Sequence, residues 1–190
     1  MPTPAGSEAR FTPPRPDCPY PEHWHSTDDD STELEVTALV GAFVTALQPE
    51  FVIETGTAFG QTAKAIGQAL LANGHGHLVT LESDPVRAEL SRNRCAGLPV
   101  KVLKVSSLDY EPDAPVDFCW FDSLIDIRHL EFLRYLPCMS SRAVVGFHDT
   151  GPQHAVRRHL ERLVASEVLP EPLWLPTPRG VCFARVMGSK

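Results

Sequence analysis

Acidic and glycine residues in the middle of the chain have the spacing of a nucleoside-binding site. The segment 51–60 predicts a buried strand that passes through Glu54 into a turn at Gly56 and then a helix. A glycine turn lets a ligand approach the backbone closely, because no Cβ stands in the way. The next predicted strand, 78–82, ends in Glu82, and an acid at that place accepts hydrogen bonds from a ribose diol. The pattern therefore predicts a nucleoside cofactor on an open α/β sheet.

The spacing of the two glycines bears on which cofactor this is. A dinucleotide-binding turn has the pattern G-x-G-x-x-G, whereas Gly56 and Gly60 here enclose three other residues. The acid Glu54 would repel a pyrophosphate and suits a cationic ligand, such as the sulfonium and ammonium of S-adenosylmethionine. A nicotinamide-dependent oxidoreductase on a similar sheet is the alternative, and it is disfavoured by Glu54 and by Ala58 in place of a middle glycine.

With these motifs the chain resembles the class I S-adenosylmethionine-dependent methyltransferases, whose first motif is an acid-x-Gly-x-x-x-Gly turn. It is most similar to the small-molecule O-methyltransferase branch, which includes catechol-type enzymes and those acting on sugars and natural products. The resemblance implies a Rossmann-like fold with a mostly parallel seven-stranded sheet and an antiparallel C-terminal edge strand. It also implies cofactor contacts, namely Glu54, Gly56, Thr57 and Gly60 at the methionine end, Glu82 at the ribose, Ser106 and Ser107 at the adenine, and Asp122.

The order of apolar segments supports the same α/β class. Strands and helices alternate from residue 51, which predicts a parallel sheet with helices on both faces. The predicted strands are 51–55, 78–82, 100–105, 116–121 and 142–148, and the predicted helices are 60–73, 84–96, 127–136 and 152–166. A first helix is predicted to begin at an N-cap, Ser31, and the tail predicts two strands joined at Pro178-Arg179-Gly180. Residues 1–27 form a proline-rich arm, and residues 28–190 a single domain.

Three polar residues at predicted strand ends are candidates for the chemistry: Asp122, His148 and Asp149. Two carboxylates and an imidazole can bind Mg²⁺ or another divalent cation. They can instead supply a general base, a role also open to His129. In metal-dependent O-methyltransferases two acids and an amide occupy such positions; Asp122 matches the first acid, His148 falls at the second and Asp149 at the amide. The lysine base of the catechol enzymes would fall at Ile125 and is absent.

The resemblance implies methyl transfer to a small-molecule acceptor, most simply at a hydroxyl. A noncatalytic domain that keeps the fold is the further alternative, which the missing lysine at Ile125 and the short chain of 190 residues favour.

Composition excludes several other classes of function. The formal net charge of −7 disfavours nucleic-acid binding, which needs a basic face. No apolar run approaches the ~20 residues of a membrane span, and the N-terminus lacks a secretory pattern. The five cysteines are scattered, which indicates reduced thiols rather than disulfides. We therefore expect a cytoplasmic enzyme without membrane or nucleic-acid partners, acting alone or as a homodimer.

Overall fold

The computed structural model describes residues 10–11, 20, 23–28 and 30–186. Within the predicted arm, strand β1 (Arg10–Phe11) pairs antiparallel with strand β2 (His25–Ser26). Trp24, which precedes β2, packs partly buried against the core of the domain. The arm is thus joined to the domain at its C-terminal end. Most of the arm, including Cys18, lies outside the described residues, so the division at residue 27 stays a prediction.

The remaining elements follow the apolar segments of the sequence. The strands are β3 (Phe51–Thr55), β4 (His77–Glu82), β5 (Val100–Lys104), β6 (Val116–Phe121), β7 (Met139–His148), β8 (Leu173–Leu175) and β9 (Val181–Arg185). The helices are α1 (Leu34–Leu47), α2 (Gln61–Asn73), α3 (Pro85–Arg94), α4 (Arg128–Tyr135) and α5 (Ala155–Ala165), with a 3₁₀ turn at Leu136–Cys138. Within residues 30–186 no helix has both the length and the hydropathy needed to cross a bilayer.

Seven strands form one sheet in the order β5-β4-β3-β6-β7-β9-β8. Strands β3 to β7 pair in parallel, and β9 runs antiparallel between β7 and β8. The predicted α/β class, the mostly parallel sheet and the antiparallel C-terminal strands are confirmed. Because β4 and β5 extend the sheet on one side of β3 while β6 and β7 extend it on the other, the chain changes direction between β3 and β6. Ligands of open α/β sheets bind at the carboxyl ends of the strands beside such a point.

Each face of the sheet is covered by helices, so the central strands are buried on both sides. Helices α1 and α2 place Val40, Val44 and Ile66 against one face, and α4 and α5 place Phe132 and Leu160 against the other. Every residue of β3 and of β6 is buried. Two covered faces explain why these strands are mostly apolar and do not alternate between apolar and polar residues.

The start of α1 differs from the prediction. The helix begins at Leu34 with Glu33 at its N-cap, and no side chain caps it. The backbone N–H and hydroxyl of Ser31, the predicted cap, donate instead to Asp28 at 2.6 and 2.8 Å. The prediction was wrong because the Ser31 hydroxyl is bonded to Asp28 and the helix starts further along the chain. Helix α3 does have a side-chain cap, since Asp84 accepts hydrogen bonds from two of its backbone N–H groups.

Candidate active site

The turn after β3 is fastened to the end of β4 through one carboxylate. The backbone N–H of Ala58 donates to Oε2 of Glu82 at 2.8 Å, and that of Asp84 donates to Oε1 at 2.8 Å. The N–H of Gly56 donates to the carbonyl of Leu81 at 3.0 Å. Glu82 therefore fixes the loops after both strands while its side chain borders the cavity described below.

Glycine is required at the first position of the turn. Gly56 has a φ of +79°, and a Cβ on it would lie 2.4 Å from the carbonyl oxygen of Asp122 and 2.6 Å from Cα of Ser123. The turn after β3 is thus pressed against the backbone that follows β6. Ala58, at the place where the resemblance leads one to expect glycine, has a φ of 46°, in the left-handed region that costs an L-residue energy.

A cavity of about 550 Å³ opens at the carboxyl ends of the parallel strands. Its size suits a small-molecule ligand. Six of the predicted site residues line it: Gly56, Glu82, Ser106, Ser107, Asp122 and Asp149. Thr57 instead lines a small adjoining hollow, together with Gln61 and Thr62 at the start of α2. Among the described residues, Glu54, Gly60 and His148 do not line the cavity.

Glu54 lies beneath the turn rather than in the cavity. Its side chain is buried and accepts a hydrogen bond from the hydroxyl of Thr80, which shares a second hydrogen bond with Thr57. Burial raises the pKa of Glu54 to about 8, against the opposing effect of the Thr80 hydrogen bond. Glu54 is therefore largely neutral at pH 7. It does not carry the negative charge that was expected to repel a pyrophosphate.

Replacing Glu54 by glutamine is expected to stabilise the protein above pH 7. A carboxyl whose pKa is raised on folding contributes its stability below its unfolded pKa of 4.5 and loses it as the pH rises toward about 8. Glutamine keeps the acceptor for Thr80 and does not titrate. The free energy of unfolding, measured in urea, should exceed that of the wild type by at least about 1 kcal/mol at pH 8 and by much less at pH 5.

The matched control for this substitution is Glu89→Gln on α3, where the side chain is exposed. It should change the free energy of unfolding little at either pH. A difference for Glu54→Gln that is the same at pH 5 and pH 8 would contradict the raised pKa.

His148 lies between two carboxylates behind the wall of the cavity. Its Nε2 is 2.6 Å from Oε2 of Glu33, and its Nδ1 is 3.0 Å from Oδ1 of Asp122. Burial would lower the pKa of His148, but Asp122, Asp149 and Glu33 raise it to about 10. His148 is therefore an imidazolium at neutral pH, with both ring nitrogens donating. The same charge lowers the pKa of Glu33 and of Asp122 against the effect of their burial.

Two arginines complete this group of charges. The Arg128 guanidinium lies 3.1 Å from Asp122 and 2.9 Å from Asp149, and only 3% of its side chain is exposed. Arg179, in the turn between β8 and β9, donates from Nε and Nη2 to the two oxygens of Asp149 at 2.6 and 3.0 Å. Its backbone N–H donates to Glu33 at 3.0 Å. Three carboxylates thus face three cations, and we call these six residues the charge cluster.

The described residues that surround the cavity now allow a comparison with known proteins. The family profile described as a methyltransferase domain matches residues 53–150, which is more than half of the chain. The chain belongs to this methyltransferase family. The matched segment begins in β3 and ends just after Asp149, so it contains the glycine turn, Glu82 and most of the charge cluster.

Solved structures similar to this methyltransferase include three with SAM or SAH bound. The O-methyltransferase TomG from Streptomyces achromogenes, in complex with SAM, is 22% identical, with 84% of this chain and 83% of that chain covered and a TM-score of 0.70. The SAH-bound methyltransferase PaMTH1 from Podospora anserina is 18% identical, with 83% and 80% covered and a TM-score of 0.69. The O-methyltransferase from Bacillus cereus in complex with SAH is 18% identical, with 83% and 84% covered and a TM-score of 0.65. At these identities the likeness shows the fold. A comparison with curated protein sequences finds no significant match.

Three hydroxyl groups close to the methyltransferase cavity donate hydrogen bonds to one buried acid. Glu131 on α4 accepts hydrogen bonds from the hydroxyls of Thr55, Ser107 and Ser123. The hydroxyl of Ser107 is therefore used within the protein, whereas Ser106 beside it lines the cavity without that constraint. Burial raises the pKa of Glu131, although these hydroxyls oppose the shift.

Several residues of the site are missed by sequence reasoning. They are Thr32, whose hydroxyl donates to Asp122, together with Glu33, Arg128, Arg179 and Glu131. Charged residues at helix starts and turns are usually solvated, so nothing local marks these as buried. Conversely, the alternative base His129 stacks on His159, with ring centroids 3.9 Å apart, and does not line the cavity. Ile125 does line it, so the position of the catechol lysine is apolar here.

Proposed function

We propose that this protein transfers a methyl group from S-adenosylmethionine to a hydroxyl of a small molecule. The observation that carries the proposal is the glycine turn at Gly56, tied to a Glu82 carboxylate that faces the cavity, in a chain of a methyltransferase family. The S-adenosyl ligands named for the similar structures support the same cofactor. When bound, S-adenosylmethionine supplies a methyl group already activated on a sulfonium.

The start of α2 suits the methionine end of this cofactor. Helix α2 has Gly60 at its N-cap and no side-chain capping hydrogen bond, so the first N–H groups of the helix are available to a carboxylate. The hollow beside them is bordered by Thr62 and by two acids, Asp30 and Asp122. A carboxylate on the helix start and an ammonium near the acids would match these charges.

The other end of the cavity suits an adenosine. Each oxygen of Glu82 accepts one backbone N–H, and a carboxylate has about four acceptor sites in all. Two sites therefore stay available for the hydroxyls of a ribose. Ser106 borders the same region, which supports the contact with the adenine that the resemblance implies.

We propose that Asp122 takes the proton of the acceptor. It lines the cavity and 12% of its side chain is exposed, whereas Asp149 and His148 are fully buried. Bound S-adenosylmethionine would supply the methyl group and leave as S-adenosylhomocysteine, and Asp122 would accept the proton that the acceptor hydroxyl loses. The lowered pKa of Asp122 makes it a weak base. An acidic hydroxyl, such as a phenol, is therefore the favoured acceptor, and a panel of phenols and aliphatic alcohols with labelled cofactor tests this.

The contact between Glu82 and the ribose is tested by changing both partners. Glu82→Gln is expected to weaken S-adenosylhomocysteine binding by several fold, because the amide group cannot accept all these hydrogen bonds. Removing the ribose hydroxyls from the ligand should then weaken binding to the wild type, and have much less effect on the variant. Calorimetric titration of the four combinations measures the coupling.

The control is Asp84→Asn, which lies on the same rim and caps α3. It should keep the wild-type preference for the ligand with hydroxyls. If removing the ribose hydroxyls weakened binding equally in the wild type and in Glu82→Gln, Glu82 would not be the residue that binds the ribose.

The cellular setting and assembly are also proposals. Cys95, Cys119 and Cys182 are free and buried, which is consistent with a reducing cytoplasm. The expected alternatives of monomer and homodimer are to be distinguished by light scattering.

A further inference from the structure

We propose that the Arg128 guanidinium occupies the place of a divalent cation between Asp122 and Asp149, so that this methyltransferase works without a metal ion. The inference rests on the proposed function for the reaction it serves. The three candidate ligands do lie together, since one donor atom each from Asp122, His148 and Asp149 falls within 4.8 Å of the others. The contacts of these three ligand atoms show, however, that each is already paired with another group of the protein.

The Arg128 guanidinium makes three hydrogen bonds and two ion pairs. Nε donates to the carbonyl of Ser123 at 2.8 Å, and Nη2 donates to the same carbonyl and contacts Asp122 at 3.1 Å. Nη1 donates to the carbonyl of His148 at 2.6 Å and contacts Asp149 at 2.9 Å. Each of the three guanidinium nitrogens therefore makes at least one hydrogen bond, and the two terminal nitrogens each also contact a carboxylate. Arg128 is therefore fixed between the strand ends, where it bridges both carboxylates.

The two other candidate ligands are bound by further groups. Asp149 is held by the fork of Arg179, with contacts of 2.6 and 3.0 Å to its two oxygens. His148 has Glu33 at one ring nitrogen and Asp122 at the other, at 2.6 and 3.0 Å. A metal ion would have to displace the Arg179 guanidinium from Asp149 and a carboxylate from a ring nitrogen of His148. It would also lie beside the Arg128 guanidinium, which does not lose its charge.

The donor set therefore fits a divalent cation poorly, in contrast with the sequence-based expectation of Mg²⁺. Two carboxylates and a water-filled gap would attract such an ion. Here the gap between Asp122 and Asp149 holds a permanent positive charge on a buried side chain. Arg128 would act as a positioning residue, because it binds Asp122 and the strand ends on either side and so keeps Asp122 at the edge of the cavity.

Binding of Mn²⁺, followed by electron paramagnetic resonance, tests the proposal on the full chain. Wild-type protein should leave the signal of free Mn²⁺ unchanged. Arg128→Ala removes the cation and opens a space beside the two acids, so Mn²⁺ should bind it about tenfold or more tightly than the wild type. Arg142→Ala is the matched control, because Arg142 pairs with Asp117 at an exposed site and should gain no such binding.

Two results would overturn the proposal. One is Mn²⁺ binding to the wild type that Asp122→Asn abolishes, and this result needs no arginine variant to fold. The other is a folded Arg128→Ala protein that binds Mn²⁺ no better than the wild type. If that variant does not fold, a wild type that binds no Mn²⁺ still supports the proposal.

Titration of the wild type with S-adenosylhomocysteine, with Mn²⁺ or with a chelator, separates this inference from the proposed function. Failure to bind the ligand under either condition would count against the proposed function alone. Binding that is lost on adding the chelator would count against metal independence alone. Equal binding in both is the expected result.

Discussion

Replacing Gly56 by alanine is expected to abolish S-adenosylhomocysteine binding and to lower the free energy of unfolding by about 3 kcal/mol or more. The added Cβ would lie 2.4 Å from the Asp122 carbonyl oxygen and 2.6 Å from Cα of Ser123. Backbone atoms cannot rotate away as a flexible side chain can, so the turn after β3 must move from the end of β6. That movement would disturb the wall shared by the cofactor and Asp122.

A second glycine of the same conformation separates the clash from backbone strain. Gly74, which follows α2, has a φ of +78° and nothing within 4 Å of an added Cβ. Gly74→Ala should therefore cost only the left-handed penalty of roughly 1–2 kcal/mol and leave ligand binding intact. Urea unfolding and calorimetry on both variants measure the two effects. If the two variants behaved alike, the close contact at Gly56 would not be the reason that glycine is needed.

Replacing His148 by leucine is expected to lower the free energy of unfolding at pH 7 by about 3–5 kcal/mol, because it leaves Glu33 and Asp122 buried without the cation they share. His77→Leu is the matched control, since His77 is exposed at the start of β4 and should change stability much less. Adding Glu33→Gln to His148→Leu should recover part of the loss, because one uncompensated charge is then removed.

The pH dependence identifies the imidazolium as the cause. A histidine whose pKa is raised on folding contributes its full stability below the unfolded value of 6.5 and loses it as the pH rises through about 10. The difference between wild type and His148→Leu should therefore shrink between pH 7 and pH 10, on the order of 1 kcal/mol per pH unit. A difference that stays constant over this range would show that His148 is neutral in the fold.

The sequence was sufficient for the elements and for the cofactor side of the site. Apolar runs ending in turn residues mark β3 and β4 locally, and strand ends of a parallel sheet meet at one edge. Glu82 and Asp122 could be placed at that edge for this reason. The αβ alternation likewise predicted the sheet, because short connections restrict which strands become neighbours.

The charge cluster could not be predicted, because it depends on contacts between distant parts of the chain. The backbone N–H of Arg179 donates to Glu33, 146 residues earlier. In the sequence Glu33 is one more acid at a helix start and Arg179 a turn residue, so each is expected in solvent. Glu54 was misinterpreted for a related reason: its type suggests a charge, whereas its burial keeps it largely neutral at pH 7. The burial of a side chain determines whether it is ionised, and a local sequence motif does not reveal that burial.

Calorimetric titration of the wild-type protein with S-adenosylhomocysteine and, separately, with NADH tests the central claim most directly. We expect micromolar binding of S-adenosylhomocysteine and no binding of NADH. Binding of NADH alone would show that the cavity beside Gly56 and Glu82 serves a dinucleotide. Binding of neither ligand would contradict the proposed cofactor and favour a noncatalytic member of the methyltransferase family.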